Sequence, residues 1–213
     1  MTNTDPTTDL ADYETLDNLE TVQVNLKQAG SLAGVVAGLM TKSNCIGFVG
    51  GMRIPTTLTK YSAYLAAAQK VNSAAAAGVK LTESWIGTDN VDVMWCDASA
   101  VDGGVRQALE SAGADTHFNI AQPIDLVGSD HPCVVTSTVT DWKMGEAMSA
   151  IEDGSFGSGK VIEANIENGG VSLGKYSDAV SQDVQDKVAE YTEQIKADTF
   201  LTDDEVETIK SGL

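Results

Sequence analysis

Apolar positions along the chain recur with two periods, about two residues and about 3.6, and the two alternate, which predicts strands and helices in turn. Short apolar runs at residues 21–25, Cys45–Val49, Val79–Ile86, Val91–Trp95, His117–Ala121, Cys133–Thr136 and Val161–Ile166 read as strands. Longer segments with helical spacing lie between them. One starts at Asn25 or Ser31 and runs through SLAGVVAGLM to about Thr41. Its small residues Ala33, Gly34, Ala37 and Gly38 would let another element approach closely. A second follows Pro55 through YSAYLAAAQKV, with Leu58, Tyr61, Leu65 and Ala68 on one stripe. Further helices are predicted over Val101–Ala112, stopped by Gly113, and over Asp141–Glu152, ending before Gly154. The last two, Gln182–Ala197 and Asp203–Lys210, carry acidic first turns that suit the helix dipole.

Strands alternating with helices give an α/β architecture with mostly parallel sheets. The order breaks once. Ile86 and Val91 are separated only by Gly87, Thr88, Asp89 and Asn90, whereas parallel neighbours need a crossover of about a dozen residues. Either these strands form an antiparallel hairpin or a crossover helix is missing. Residues 1–19 (MTNTDPTTDLADYETLDNL) read as an acidic, disordered arm. Residues 20–213 read as the folded region.

Charge narrows the choice of partners. The chain has 31 acidic residues against 13 basic ones, a formal net charge of −18. Such a surface repels phosphate backbones and anionic headgroups, so nucleic acid and acidic membranes are disfavoured. Acidity spread along a foldable sequence is also what keeps a protein soluble in concentrated salt, and a halophilic source is expected. No apolar run is long enough to span a bilayer. Residues 1–20 are polar and acidic, with no charged-then-apolar leader, so no export signal is expected in this chain. The three cysteines, Cys45, Cys96 and Cys133, show no metal spacing and read as buried or free thiols.

Catalytic and cofactor signals are weak. IGFVGGM (Ile46–Met52) invites a dinucleotide-binding reading, but Gly47, Gly50 and Gly51 are wrongly spaced, and Arg53-Ile54-Pro55 precedes the helix. An NAD(P)-dependent oxidoreductase is therefore a minor alternative, and no cofactor is expected. Gly50 and Gly51 can instead serve a tight turn or close packing. His117 lies in an apparent strand and reads as a core residue; Ser129-Asp130-His131-Pro132 is a loop run, not a triad. An enzyme is not expected. More informative are tryptophans and carboxylates at strand ends: Trp95 and Asp97, then Asp125, then Trp142. Ligands of open α/β sheets bind beyond the carboxyl ends of strands, where a tryptophan could stack on a base and a carboxylate could accept from ring N–H or hydroxyl groups. Each has a plainer reading: core packing for the tryptophans, a helix cap or solvated loop for the acids. Asp97 and Asp141 are plausible caps for the helices that follow them.

One long stretch, SLAGVVAGLMTKSNCIGFVGGMRIP, resembles the signature region of the basic-membrane-protein family. Further on, ESWIG, VDVMW, VDGGVRQALESAG, VVTSTVTDW and IENGGVSL resemble successive family segments, so the likeness runs from about Glu20 to the C-terminus. The resemblance implies a type I periplasmic-binding fold, two α/β lobes closing on a ligand. It implies a lipoprotein outside the cytoplasmic membrane that feeds an ABC importer permease with a purine nucleoside or purine base. Trp95 matches the end of the strand carrying the family's aromatic platform. Asp97 matches a polar position of the purine-binding branch, Asp125 the second acid of a ligand segment, and Trp142 that branch's tryptophan. Pro123, Leu126 and Thr140 depart from the nucleoside-binding pattern.

The family's first-lobe ligand motif is missing from the sequence, and so is a helix between ESWIGT and VDVMW. The chain is therefore expected to hold most of one lobe and parts of the other; the alternative to a transport role is a non-transport interaction or regulatory protein, or a vestigial fragment, whose unpaired lobe edges would associate with another copy or a partner. The charge makes the first testable statement. In thermal melts followed by circular dichroism, the melting temperature should rise from low to molar KCl; an unchanged or falling value would remove the salt-adapted reading.

Overall fold

The computed structural model describes residues 18–77, 90–157 and 159–213. The predicted strand Val79–Ile86, and with it the hairpin question, lies outside them, as does residue 1–17 of the expected arm. The chain divides into two compact units. Among the described residues, unit 1 holds 18–25 and 140–172, and unit 2 holds 26–139 and 173–213.

Unit 1 contains β1 (Thr21–Val24), α4 (Met144–Asp153) and β6 (Val161–Ala164). The two strands pair in parallel, Thr21 against Val161 through Val24 against Ala164. Val22, Val24, Ile162 and Ala164 point to one buried face. Gly170 packs against Ala164, whose Cα would lie 2.4 Å from any added Cβ.

Unit 2 contains α1 (Leu26–Met40), β2 (Ile46–Gly50), α2 (Pro55–Val71), β3 (Val93–Asp97), α3 (Asp102–Gly113), β4 (Phe118–Ala121), most of β5 (Val134–Thr140), the end of β7 (Val171–Leu173), α5 (Gln182–Lys196) and α6 (Asp203–Ser211). Its sheet has the order β2-β3-β4-β5-β7. The pairs from β2 to β5 are parallel, with Ile46 opposite Val93 and Val93 opposite Phe118, and the register shifts at Asn119/Ile120. Parallel strands of this kind are covered on both faces and so read as near-continuous apolar runs. That is why periodicity located β2 to β5 to within a few residues. β7 was not predicted: three residues between Gly170 and Gly174 give too short a run.

One face of the sheet carries an aromatic cluster. Phe48, Trp95 and Tyr64 have ring centroids 5.3 to 6.2 Å apart, in tilted geometry. Trp95 is 0% exposed, and its Nε1–H donates to Thr138 Oγ1 at 3.1 Å. The Tyr64 hydroxyl donates to Gly47 O at 3.0 Å. On the other face Met94 and Cys96 pack with Val105 and Leu109 of α3, and all three cysteines are buried there. Burial pushes the Cys133 thiol up to about 12 and Cys96 further still.

Over the aromatic face lie α1 and α2, pressed together at glycines. An added Cβ would stand 2.4 Å from Lys60 O at Gly30, 2.2 Å from Tyr64 O at Gly34 and 2.8 Å from Ala68 O at Gly38. The expected close approach is therefore made, with Gly30 as a third contact. α2 is buried around most of its girth from Tyr61 to Ala68, wider than the single stripe predicted.

Helix boundaries bring two corrections. Neither Asp97 nor Asp141 caps a helix. α3 starts after Val101, with no side-chain cap, and it is Asp102 that accepts from Ala98 N at 3.0 Å. α4 starts at Met144, behind Lys143 in the left-handed region at φ 54°. Asp141 accepts instead from Lys143 N at 2.9 Å, closing a turn before the helix. His117 also precedes β4 and is half-buried, with Nδ1 3.0 Å from Thr116 Oγ1. The C-terminal helices agree with expectation in their acidic first turns, Asp183 in α5 and Asp203, Asp204 and Glu205 in α6; in addition Ser181 caps α5, and Thr202 with Glu205 forms a capping box on α6.

Two substitutions test this packing by guanidinium unfolding. Gly34→Ala places a methyl group against a backbone carbonyl, so it should lower stability by about 1–3 kcal/mol despite alanine's better helix propensity. Trp95→Ala empties a core position and removes the indole hydrogen bond to Thr138, and a loss of about 3–5 kcal/mol is expected. A loss under about 1 kcal/mol would mean that Trp95 is not packed as described.

Candidate functional site

The parallel strands β2, β3 and β4 end together at Gly50, Asp97 and Ala121, and their following loops form one edge of unit 2. Close contact shapes this edge. A Cβ on Gly50 would lie 2.5 Å from Thr57 Cγ2. Gly51 N donates to Asp97 O at 3.1 Å, which ties the β2 loop to the end of β3. The two glycines thus serve packing and a turn, the alternative given above to a phosphate cradle.

Asp97 is the centre of the polar groups here. Its Oδ1 accepts from Lys60 Nζ at 3.0 Å, and from Gln122 Nε2. The Lys60 and Asp97 side chains are 16% and 13% exposed. A charge pair this poorly solvated needs its hydrogen bonds, and Gln122 supplies one more donor. Lys60 comes from α2, Asp97 from β3 and Gln122 from the turn after β4. Three elements thereby present a carboxylate, an ammonium and an amide together at the sheet edge.

Asp125 stands three residues beyond Gln122 and is exposed. Its Oδ1 accepts from Val127 N at 3.1 Å and its Oδ2 from Lys175 N at 3.1 Å. Gly174 makes room for it, since an added Cβ would lie 2.7 Å from Asp125 Cγ. The Asp125 carboxylate therefore holds the loop after β4 to the segment after β7. Around this edge Met52, Ile54, Val101 and Ile124 expose apolar side chains from three different loops. Small-molecule sites combine apolar lining with a few fixed polar groups, and this edge carries residues of both kinds.

The predicted site residues separate by position. Asp97 and Asp125 both reach the edge of unit 2. Trp95 lies one turn of the pleat beneath it, wholly inside the core, with its indole N–H already bonded. Trp142 belongs to unit 1, half-buried between two fixed residues. Asp141 N donates to Gly170 O at 3.0 Å, and Lys143 Nζ donates to Asn168 O at 2.6 Å. A left-handed lysine costs about 1–2 kcal/mol, and this buried ammonium contact helps hold it. Sequence reasoning missed Lys60 and Gln122. They lie 37 and 25 residues from Asp97, and neither stands in a motif. Among the described residues, no cluster of His, Cys, Asp or Glu is arranged to hold a metal ion, and no helix is long and apolar enough to cross a membrane.

Known proteins resemble this chain in sequence and in fold. It is 30% identical over 210 residues to the ABC transporter nucleoside-binding protein BmpA of Lactococcus lactis subsp. cremoris, a match covering 84% of this chain and 57% of that protein. It is 25% identical over 199 residues to TsgA13 of Haloferax volcanii, provisionally named an ABC transporter glucose-binding protein, covering 87% and 50% respectively. The chain thus spans a little over half the length of the curated relatives it matches. An ABC transporter solute-binding protein from Conexibacter woesei superposes with a TM-score of 0.66 at 21% identity, over 92% of this chain and 68% of that one. The family model described as ABC transporter substrate-binding protein PnrA-like, Bmp, matches residues 5–203, beginning ahead of the Glu20 expected from the sequence. The chain belongs to that family, the basic-membrane-protein family whose signature its Leu-Ala-Gly helix and Gly-Phe-Val-Gly-Gly turn carry.

Proposed function

We propose that this chain is the solute-binding part of an ABC importer, acting outside the cytoplasmic membrane. Its ligand is a purine nucleoside or a free purine base, held at the carboxyl edge of the unit 2 sheet and delivered to a permease. The observation that carries this reading is the Lys60–Asp97–Gln122 cluster at that edge. A carboxylate there accepts from ring N–H or ribose hydroxyl groups. An amide and an ammonium beside it can answer the carbonyl and ring-nitrogen acceptors of the same ligand. Asp125 sets the loop that borders the cluster. Trp95 acts from beneath as the floor of the strand end. The name of the Lactococcus relative favours a nucleoside.

A sugar is the second reading. The same cluster suits a polyhydroxyl ligand, and glucose is the ligand in the Haloferax relative's name. Thermal melts in molar KCl with adenine, adenosine, guanosine, inosine or glucose separate the two. At a concentration about 100 times Kd, a ligand adds about 2.7 kcal/mol, or about 5–11 °C for a chain of this size. Asp97→Asn should remove at least half of that shift, through loss of a charge-assisted bond worth about 1.5–3 kcal/mol. A cooperative melt that no purine moves and glucose raises would replace the purine with a sugar. A melt that none of the five moves would remove ligand binding from this chain.

A further inference from the structure

Two opposite charges meet at the carboxyl edge of the unit 2 sheet, although a carboxylate alone would serve to accept from a ligand. Lys60 Nζ stands 3.0 Å from Asp97 Oδ1, and the two side chains are 16% and 13% exposed. Gln122 Nε2 donates to the same oxygen. Among the described residues no hydrogen bond falls on Asp97 Oδ2, so one oxygen of the carboxylate is left for a further donor. A pair this poorly solvated is weak support for the fold. Taking both charges out of water roughly cancels their attraction, and apolar residues of similar size would serve stability as well.

What the pair does decide is the charge that can come close. Beside Asp97 alone a cation would be drawn in, and beside Lys60 alone an anion. With the two in contact, a ligand charge of either sign meets its like at short range and finds its opposite already taken. Other charged groups near this edge have partners of their own. Asp125 takes two backbone N–H groups, from Val127 and Lys175. Arg53 donates to Leu213 O. Asp102 is 3% exposed and accepts from Ala98 N at 3.0 Å.

Concentrated salt gives the pair more weight. The net charge of −18 is spread over the whole chain, but in molar salt the screening length is about 3 Å. The distant carboxylates then select nothing, and only charges in contact or shielded from solvent still do. Lys60 and Asp97 meet both conditions.

Resting on the reading of this edge as the ligand site, we propose that Lys60 is a specificity-determining residue. By neutralising Asp97 it confines the site to uncharged ligands and rejects their phosphorylated and ammonium-bearing forms. An uncharged ligand still finds an acceptor in Asp97 Oδ2 and donors in Lys60 and Gln122.

The test is equilibrium dialysis of the full chain in molar KCl, at mildly acidic pH where amines carry their charge. One series is adenosine, its 3′- and 5′-monophosphates and its 3′- and 5′-amino-deoxy analogues. The other is glucose, glucose 6-phosphate and glucosamine. In the wild-type chain the uncharged member of the bound series should bind at least about tenfold tighter than either charged form. Lys60→Gln leaves a lone carboxylate, and the ratio should move at least about tenfold toward the amine. Asp97→Asn leaves a lone ammonium, and the ratio should move as far toward the phosphate. Lys60→Arg keeps the charge and should keep the wild-type order. A purely structural role would weaken all members of a series alike without reordering them. If one of the two neutral variants does not melt cooperatively, the other decides. Ratios that neither Lys60→Gln nor Asp97→Asn moves would overturn the proposal and leave the ligand site standing. So would a charged form that the wild-type chain binds as tightly as the uncharged one. Binding of no compound in either series would instead remove the ligand site itself, and the role of Lys60 with it.

Discussion

Gly30, Gly34 and Gly38 lie four residues apart on α1, and at each the backbone of α2 occupies the space where a Cβ would stand. A helix pair this close is fixed in depth and in register, because a slide of one residue would drive a side chain into a carbonyl. Much follows from that. With α2 set, Tyr64 reaches Gly47 O and the faces of Phe48 and Trp95. Four residues earlier on the same helix, Lys60 arrives at the end of β3 and meets Asp97. The site's ammonium is thus placed by glycines on a helix that has no part in the site.

The same chain of contacts explains why Trp95 is inside. β3 alternates its side chains between two covered faces, Val93 and Trp95 to one and Met94 and Cys96 to the other. The strand must run on to Asp97 before a side chain meets the edge. A tryptophan two residues short of the strand end then finds aromatic neighbours and a hydroxyl to bond. Its indole N–H is satisfied by Thr138, so burial leaves no stranded donor. Chemistry at the edge is left to groups whose solvation is partial and whose partners come from different elements.

The two units differ in how far packing accounts for their apolar residues. In unit 2, both sheet faces are covered and exposed apolar residues gather at the strand-end loops. In unit 1, β1 and β6 pair in parallel, and α4 buries Ala147 and Ala150 while Met144, Met148 and Ile151 are exposed. Small residues sort the two sides of this helix: alanines suffice where it packs inward, and the larger Met and Ile side chains point out. That distribution is the reverse of a free surface helix, which keeps its large apolar residues for the core.

Much of the fold was legible in the sequence. Near-continuous apolar runs gave the parallel strands β2 to β5, because a strand covered on both faces needs apolar residues at every position. Acidic first turns located α5 and α6, and glycines the ends of α3 and α4, because a helix terminus has local electrostatic and conformational needs that nearby residues meet. The family signature, too, lies in one unbroken stretch. Of the candidate site, the sequence pointed to Asp97 and Asp125 by their places after strands. Tertiary structure alone decided the rest. It put Lys60 and Gln122 on Asp97, gave Gly174 to Asp125, set Trp95 in the core, and divided the candidate residues between two units. It also withdrew the capping roles of Asp97 and Asp141. The physical reason is one of range. Periodicity and capping are properties of neighbours within a turn or a strand, whereas burial and charge pairing depend on which distant elements the packing brings together.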